Sequence, residues 1–263
     1  MRTGLISILF FVFHFANATI VDLPPEGHLP SLMLNQNDEE LYARGIIPNA
    51  GPSSLCGPAS AINWLQLEYG PFSKDRQIQL LQLAAQLSLQ QGVDVHNGLI
   101  EPQLIQYMRN LDTLLVKEHT YQGKGRYFSD NELTTEDLFS SKRQILLLRY
   151  DSRPTAPPSM GRRDRGPRGG QDPMIPIVNE NEIRGFHFVL KVAALPETRE
   201  IVFLDPENPA RYSRAKLEIR NNPRNQKPEL RLLPSSRQDL ASFSGSGLML
   251  WTALSSIEKH KGE

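Results

Sequence analysis

The chain has 263 residues, of which 39% are hydrophobic and 22% charged, a composition typical of globular proteins. Lys and Arg together number 29, as do Asp and Glu, so the overall charge gives no reason to expect nucleic acid or an anionic membrane as a partner. A single cysteine excludes an internal disulfide.

Residues 1–18 have the pattern of a secretory signal peptide. Arg2 precedes a mostly apolar run from Leu5 to Phe15, and Ala16-Asn17-Ala18 fits the small residues of a cleavage site. The run is shorter than the ~20 residues that a helix needs to cross a bilayer. We therefore expect a secreted or periplasmic protein that begins at Thr19 and has no membrane span after signal removal. In that compartment a lone cysteine is buried, paired with another chain or reactive.

The first half of the mature chain predicts helices. Residues 19–48 are weakly patterned and are predicted to form an N-terminal arm that lies on the domain. Apolar spacing then predicts helices from Gly57 to about Tyr69, from about Lys74 to Gln91 and from roughly Pro102 to Arg109.

The second half predicts strands. Phe186–Ala193 and Ile201–Leu204, joined by a turn, form a candidate hairpin. The other candidate strands are Leu114–Val116, Ile145–Tyr150 and two edge strands, Leu230–Leu233 and Leu248–Trp251. Helices followed by antiparallel strands predict an α+β fold.

Residues 152–185 interrupt this half with a density of Pro, Gly and Arg that cannot build a core. We predict a disordered insertion there, with a processing site or a flap over a cleft as alternatives.

The sequence PSSLCGPASAINWL places the lone thiol, Cys56, where a loop becomes a helix. A thiol is nucleophilic as its thiolate, and the N–H groups at a helix N-terminus favour that form. Cys56 is therefore a candidate nucleophile, and an inert buried cysteine is the alternative.

A catalytic thiol needs a base, and a base needs a group that orients it. His187 opens a candidate strand, whereas His96 and His119 are predicted to be surface residues. Asp205 ends the return strand, so the hairpin would place His187 and Asp205 at the same edge of the sheet. Glu207 and Asp151 are rival carboxylates at less well defined positions.

Three motifs in this order resemble those of papain-like cysteine peptidases. They are Cys-Gly-Pro-Ala-Ser at 56–60, Gly-Phe-His-Phe-Val at 185–189 and Leu-Asp-Pro at 204–206. The resemblance spans about Asn49 to Asn208 and is closest to the bacteriocin-leader (double-glycine) peptidases and their secreted relatives. Phytochelatin synthases share the motif order, although this chain has Phe188-Val-Leu where they usually have Phe-Ser-Pro.

The resemblance implies a papain-like α+β domain over residues 49–255. An N-terminal helical lobe would carry Cys56 as nucleophile, and a C-terminal antiparallel sheet would carry His187 as general base and Asp205 as its orienting group. It implies a peptide or protein substrate and no cofactor, and no cluster of metal-ligating residues is visible in the sequence.

One position departs from the family pattern. These peptidases usually carry a glutamine six residues before the cysteine, and this chain has Ala50 there. Asn49 is a candidate oxyanion donor in its place, while Gln36 is predicted to lie too far back in the sequence.

The resulting hypothesis is an exported cysteine peptidase or related thiol hydrolase that works through an acyl-enzyme. The alternatives are a catalytically degenerate binding module, a phytochelatin-synthase-like peptidyl transferase and an inert structural domain.

Overall fold

A computed structural model of the protein describes residues 23–46, 54–125, 132–152, 183–221, 228–235 and 249–261. The predicted signal peptide, Asn49 and Ala50 lie outside the described residues, as does most of the predicted insertion, residues 153–182.

The helices come first along the described chain. They are α1 (Leu29–Leu32), α2 (Glu39–Ala43), α3 (Cys56–Tyr69), α4 (Lys74–Gln90), α5 (Glu101–Leu115) and α6 (Thr135–Phe139). The helices predicted from Gly57, Lys74 and Pro102 are thus confirmed. None of the described helices is long and apolar enough to span a membrane.

The third predicted helix is longer than its sequence pattern suggested. Leu104, Met108 and Leu111 form one buried stripe of α5, and the helix continues through Leu115 until Val116 ends it at a φ of 53°. The strand predicted over Leu114–Val116 is therefore wrong, because a short apolar run fits a helix end as well as a strand.

The strands follow, with α6 between the first two. They are β1 (His119–Gly125), β2 (Gln144–Ser152), β3 (Ile183–Leu195), β4 (Glu200–Leu204), β5 (Tyr212–Asn221), β6 (Pro228–Pro234) and β7 (Met249–Lys261). The hairpin predicted around residues 186–204 is confirmed as β3 and β4, which pair in antiparallel register.

Six of these strands close into an antiparallel barrel in the order β7-β2-β3-β4-β5-β6, with β6 returning to β7. The strands predicted as edges pair with each other, Leu230 opposite Ala253 and Leu232 opposite Trp251. The predicted papain-like α+β fold with an open antiparallel sheet is therefore wrong: the sheet closes, and the helices lie on one side of it. Closure gives both predicted edge strands a backbone partner.

The barrel has apolar residues on both of its faces along β2. Leu146 and Leu148 point into the barrel interior, and Ile145 and Leu147 pack against the helices. This arrangement explains the unbroken apolar run in β2, since each face of the strand covers a different core. All six barrel strands contribute to the interior: Leu146, Leu148, Val189, Ala194, Ile201, Phe203, Ala215, Leu217, Leu232 and Ala253.

The two strands of the β3–β4 hairpin pair with each other only over the half of β3 that lies next to the turn. Their last paired residues away from the turn are Leu190 and Leu204, whereas β3 remains paired with β2 as far as Ile183. The β4 side of residues 183–189 is therefore open to another element, and the first turn of α3 fills part of it.

Candidate active site

Cys56 is the first residue of α3 and is partly exposed, whereas the next ten residues of the helix are buried. Gly57 allows this helix to approach β3 closely. A Cβ atom at Gly57 would lie 3.2 Å from Cδ2 of Phe188 and 3.3 Å from Cδ1 of Leu104. The Gly-Pro-Ala-Ser sequence after the cysteine therefore places small residues where the helix meets the barrel.

Phe188 links β3 to the helix through both of its backbone polar groups. Its N–H donates to the Cys56 sulfur, and its carbonyl accepts a hydrogen bond from Ser60 Oγ at 3.2 Å. The N–H of Gly57 also donates to the sulfur. Two backbone donors thus point at the thiol, one from the N-terminus of α3 and one from β3.

His187 lies between Cys56 and Asp205. Its Nε2 lies 2.8 Å from Oδ1 of Asp205, and a hydrogen bond joins the imidazole to the Cys56 thiol. Because Asp205 occupies Nε2, Nδ1 is the ring nitrogen that remains for the thiol. His187 is 5% exposed and Asp205 fully buried. The three predicted residues therefore form one hydrogen-bonded chain.

A tight turn after β4 holds Asp205 in place. The N–H of Glu207 donates to Asp205 Oδ1 at 2.9 Å, and the N–H of Asn208 donates to the Asp205 carbonyl at 3.0 Å. Asp205-Pro206 is a sequence that favours such turns, since Asp accepts from the backbone two residues on. The carboxylate therefore has two donors, one from the turn and one from His187.

Burial and charge act in opposite directions on the thiol and the imidazole. Burial raises the pKa of the Cys56 thiol. The hydrogen bond and charge of His187, together with the two backbone N–H groups, lower it by more, so the net pKa lies below the ordinary value. Burial lowers the pKa of His187, yet Asp205 and Cys56 raise it well above the ordinary value. Both shifts favour a thiolate–imidazolium pair.

No protein-family model and no curated protein matches this chain. The geometry of this site is therefore the basis for its proposed function.

The structure also brings Glu207 to the site, which sequence analysis left as a rival to Asp205. One donor atom each of His187, Asp205 and Glu207 lies within 4.8 Å of the other two. This group could hold a metal ion, although the His187–Asp205 hydrogen bond already joins two of its members. Sequence analysis saw no such cluster, because its members come from β3 and from the turn after β4. The Asp-Pro-Glu spacing after the return strand was the available signal.

The other candidate residues lie away from this site or outside the described residues. Asn49 falls outside the described residues, and Asp151 lies in β2 opposite Leu250, with only its backbone described. His119, which was predicted to be a surface residue, is partly exposed and has polar contacts on both ring nitrogens. Its side chain is 14% exposed, with Nδ1 3.1 Å from Asp112 and Nε2 3.0 Å from the Tyr69 hydroxyl.

The N-terminal arm reaches the site in a way that the sequence did not indicate. The N–H of Gln36 donates to the Pro206 carbonyl at 2.8 Å, although Gln36 was predicted to lie too far back. Asn63, on α3, holds the same segment by accepting from the Leu34 N–H at 2.7 Å and donating to the Leu34 carbonyl at 3.0 Å. The arm therefore connects the cysteine helix to the turn that carries Asp205.

Proposed function

We propose that this protein is a thiol hydrolase, most plainly a cysteine peptidase, that acts through Cys56, His187 and Asp205. The observation that carries the proposal is the continuous hydrogen-bonded chain from the Cys56 thiol through His187 to the buried Asp205 carboxylate. A structural cysteine has no need of an oriented imidazole or of two backbone N–H donors.

The residues support the following sequence of steps. The Cys56 thiolate attacks a peptide carbonyl carbon, and the electron pair of the C=O moves to oxygen. The His187 imidazolium then gives its proton to the leaving amine as the C–N bond breaks, which leaves a thioester on Cys56. His187, now neutral, takes a proton from water, and the resulting attack on the thioester releases the acid and restores the thiol pair.

Asp205 and the helix N-terminus would act on this reaction without forming bonds to the substrate. Asp205 accepts from Nε2, which keeps Nδ1 facing the thiol and favours the imidazolium. The Cys56 N–H, in the first turn of α3, has no acceptor within the helix and is available to the carbonyl oxygen of the substrate as it becomes negative. The role of Asn49 as a second donor stays a prediction.

Export and family relationship are parts of the same proposal. Residues 1–18 are the basis for a secreted or periplasmic location, and a peptide or protein is the proposed substrate. Relationship to the papain-like cysteine peptidases rests on the order and local sequence of the three motifs and not on the open-sheet fold that they implied.

Three alternatives differ in what they predict for Cys56. A degenerate binding module, favoured by Ala50 at the usual glutamine position, predicts a thiol no more reactive than a free one. A peptidyl transferase predicts an activated thiol whose acyl group passes to an amine in place of water. An inert structural domain required His187 to lie far from Cys56, and the hydrogen bond between them speaks against that alternative.

The test is the rate of Cys56 alkylation by iodoacetamide from about pH 4 to about pH 10. Because Cys56 is the only cysteine, the modification rate reports on it alone. We expect a midpoint below that of a free thiol in the wild type and a shift upward in His187→Ala. His119→Ala is the matched control, since that imidazole also contacts a carboxylate but lies outside the site.

A free-thiol profile in the wild type, or identical profiles in wild type and His187→Ala, would overturn the proposal. An activated thiol then justifies a second assay, in which labelled casein is incubated with wild type and Cys56→Ser. Release of labelled peptides by the wild type alone supports hydrolysis, and release by neither protein contradicts a general peptidase.

A further inference from the structure

The loop that carries Asp205 has few attachments to the rest of the protein. It comprises residues 205–211 and joins β4 to β5. The hydrogen bonds from the N–H groups of Glu207 and Asn208 to Asp205 lie within the loop, so they shape it without attaching it to another segment. Contacts from elsewhere in the chain are therefore needed to hold the Asp205 carboxylate beside His187.

The N-terminal arm supplies such a contact. The Gln36 N–H donates to the Pro206 carbonyl at 2.8 Å, and both residues are buried. Proline has no N–H of its own, so the carbonyl is the one backbone group through which Pro206 can be hydrogen-bonded. Among the described residues, this bond and the His187–Asp205 bond are the two hydrogen bonds that join residues 205–211 to other segments.

A β-turn in the arm presents this N–H to the loop. The Asp38 N–H donates to the Asn35 carbonyl at 3.2 Å, and the Asn37 N–H donates to the Asn35 side chain at 2.8 Å. Gln36 is therefore residue i+1 of the turn, and its N–H takes no part in the turn's own hydrogen bonds. The turn thus leaves this donor available to another segment of the chain.

The same turn is fixed to the cysteine helix. The residue before it in the extended part of the arm, Leu34, is fully buried, and the Asn63 side chain binds both its N–H and its carbonyl. Asn63 and Cys56 lie on one helix, α3. The Gln36–Pro206 bond therefore links the helix that carries the thiol to the loop that carries the aspartate.

We propose that Gln36 is a positioning residue of the active site. Its backbone N–H holds the Asp-Pro turn in the orientation in which the Asp205 carboxylate meets His187, and so keeps the imidazole directed at the thiol. This inference rests on the proposed function, because it assigns a further residue to that same site. It makes the N-terminal arm an activating part of the site, and not a segment that blocks the cleft.

The N–H can be removed by a substitution that suits the turn. Proline is favoured at i+1 of a β-turn, so Gln36→Pro keeps the turn and puts a ring carbon where the hydrogen faced the Pro206 carbonyl. Gln36→Ala is the matched control, because both variants lose the side chain and only proline loses the N–H. Asn35→Ala is a milder variant, which keeps every N–H and removes the side-chain acceptor that stiffens the turn.

The first measurement is the pH profile of Cys56 alkylation by iodoacetamide. We expect the Gln36→Pro profile to lie above that of Gln36→Ala in pH, with a rate at about pH 6 that is roughly 3–10-fold lower, since each unit of pKa is a factor of ten in thiolate fraction. Asn35→Ala should show a smaller shift in the same direction. The Gln36 comparison is repeated in an Asp205→Ala background, where the difference should disappear because Gln36 acts through Asp205.

The second measurement reports on the His187–Asp205 bond without using the thiol. In protein made with ¹⁵N-labelled histidine, the Nε2–H proton of His187 should exchange slowly with water, because it donates to a buried carboxylate. Its signal is assigned by its loss in Asp205→Ala. We expect faster exchange in Gln36→Pro than in Gln36→Ala, and an intermediate rate in Asn35→Ala.

Equal profiles and equal imidazole exchange in Gln36→Pro and Gln36→Ala would overturn the proposal. A difference of the same size in the Asp205→Ala background would also overturn it, since the effect would not pass through Asp205. If Gln36→Pro does not fold, Asn35→Ala decides by the same two measurements, and wild-type values for both would reject the positioning role.

Failure of the proposed function has a different signature. A free-thiol profile in the wild type would reject the hydrolase, and the imidazole exchange would still decide whether Gln36 positions Asp205. An activated thiol whose profile and imidazole exchange are independent of the Gln36 N–H would keep the hydrolase and reject the positioning role.

Discussion

Ser60 Oγ donates to the carbonyl of Phe188 at 3.2 Å, one turn after the cysteine and one residue after the histidine. The neighbouring N–H of Phe188 donates to the Cys56 sulfur. The first turn of α3 thus occupies the position beside β3 that β4 leaves vacant when it turns away after Leu204. The separation of two strands creates the place for the nucleophile, and the same separation sends Asp205 toward His187.

This arrangement fixes the nucleophile and the base to rigid elements. Cys56 belongs to a 14-residue helix with a buried first half, and His187 to a 13-residue strand paired with β2. Only Asp205 lies in a turn, which the arm residue Gln36 and the turn's own hydrogen bonds support. Side chains on regular elements keep their relative positions better than side chains on loops.

Removal of the Asp205 carboxylate should decrease thiol reactivity. Asp205→Ala deletes the acceptor for Nε2 and a negative charge that raises the pKa of His187, so the imidazolium and the thiolate both become less favourable. We expect the alkylation rate at about pH 6 to fall ~10-fold or more, since each unit of pKa is a factor of ten in thiolate fraction. The pH profile should move upward, with Asp205→Asn between Ala and wild type. A profile that stays in place would mean that Asp205 does not orient or charge the histidine.

Part of the site could be predicted from the sequence because it depends on local patterns. A cysteine at the start of a helix and a histidine and an aspartate at the ends of a hairpin follow from motifs and turn signals within a few residues. Glu207 was named only as a rival to Asp205, and Gln36 was predicted to lie too far back, because their positions depend on packing between segments far apart in sequence. The closed barrel was missed for the same reason, since nothing local in β6 or β7 indicates that one pairs with the other.

A larger side chain at Gly57 should push α3 away from β3. Gly57→Val would add branched carbon atoms next to Phe188 Cδ2 and Leu104 Cδ1, and Phe188 has little freedom because α3 binds its backbone on both polar groups. Overpacking of this kind costs ~1–3 kcal/mol of unfolding free energy. Urea unfolding should show the loss, and Cys56 alkylation should approach the free-thiol profile. Gly57→Ala is a milder variant for comparison, because it adds one carbon atom and the higher helix propensity of alanine offsets part of the strain. A Gly57→Val protein with unchanged reactivity would show that the close contact is not needed to position the sulfur.

The amide of Asn63 should hold the N-terminal arm on the domain. Asn63→Leu leaves the N–H and the carbonyl of Leu34 without their partners in a buried position, which costs ~1–3 kcal/mol for each group. We expect amide exchange at Leu34 and proteolysis within residues 23–46 to increase. Asn110→Leu is the matched control: that buried amide binds Ser88 and Gln91 and so joins α4 to α5 instead of the arm. Equal protection of the arm in both variants would contradict the role of Asn63.

Lys191 should make the stability of the protein depend on pH. Its side chain is fully buried on β3, where Nζ donates to the carbonyls of Ser140 at 2.6 Å and Lys142 at 2.9 Å. Burial lowers the pKa of Lys191 to about 7, and Glu258 and Asp137 offset only part of that effect. A neutral amine has two N–H donors, which match the two carbonyls.

The direction of the pH effect follows from proton binding. Between about pH 7 and the ordinary lysine pKa of 10.5, the unfolded chain binds a proton at Lys191 that the folded protein does not. The contribution of Lys191 to the free energy of unfolding therefore rises with pH across that window, by on the order of a few kcal/mol in total. Below that window the contribution does not change with pH. The difference between wild type and Lys191→Met in urea unfolding should show this rise. The loss of the hydrogen bonds to the two carbonyls changes the free energy of unfolding by the same amount at every pH. Lys216→Met, at an exposed position on β5, should show no such pH dependence. A flat difference for Lys191→Met would mean that the buried amine stays charged in the folded protein.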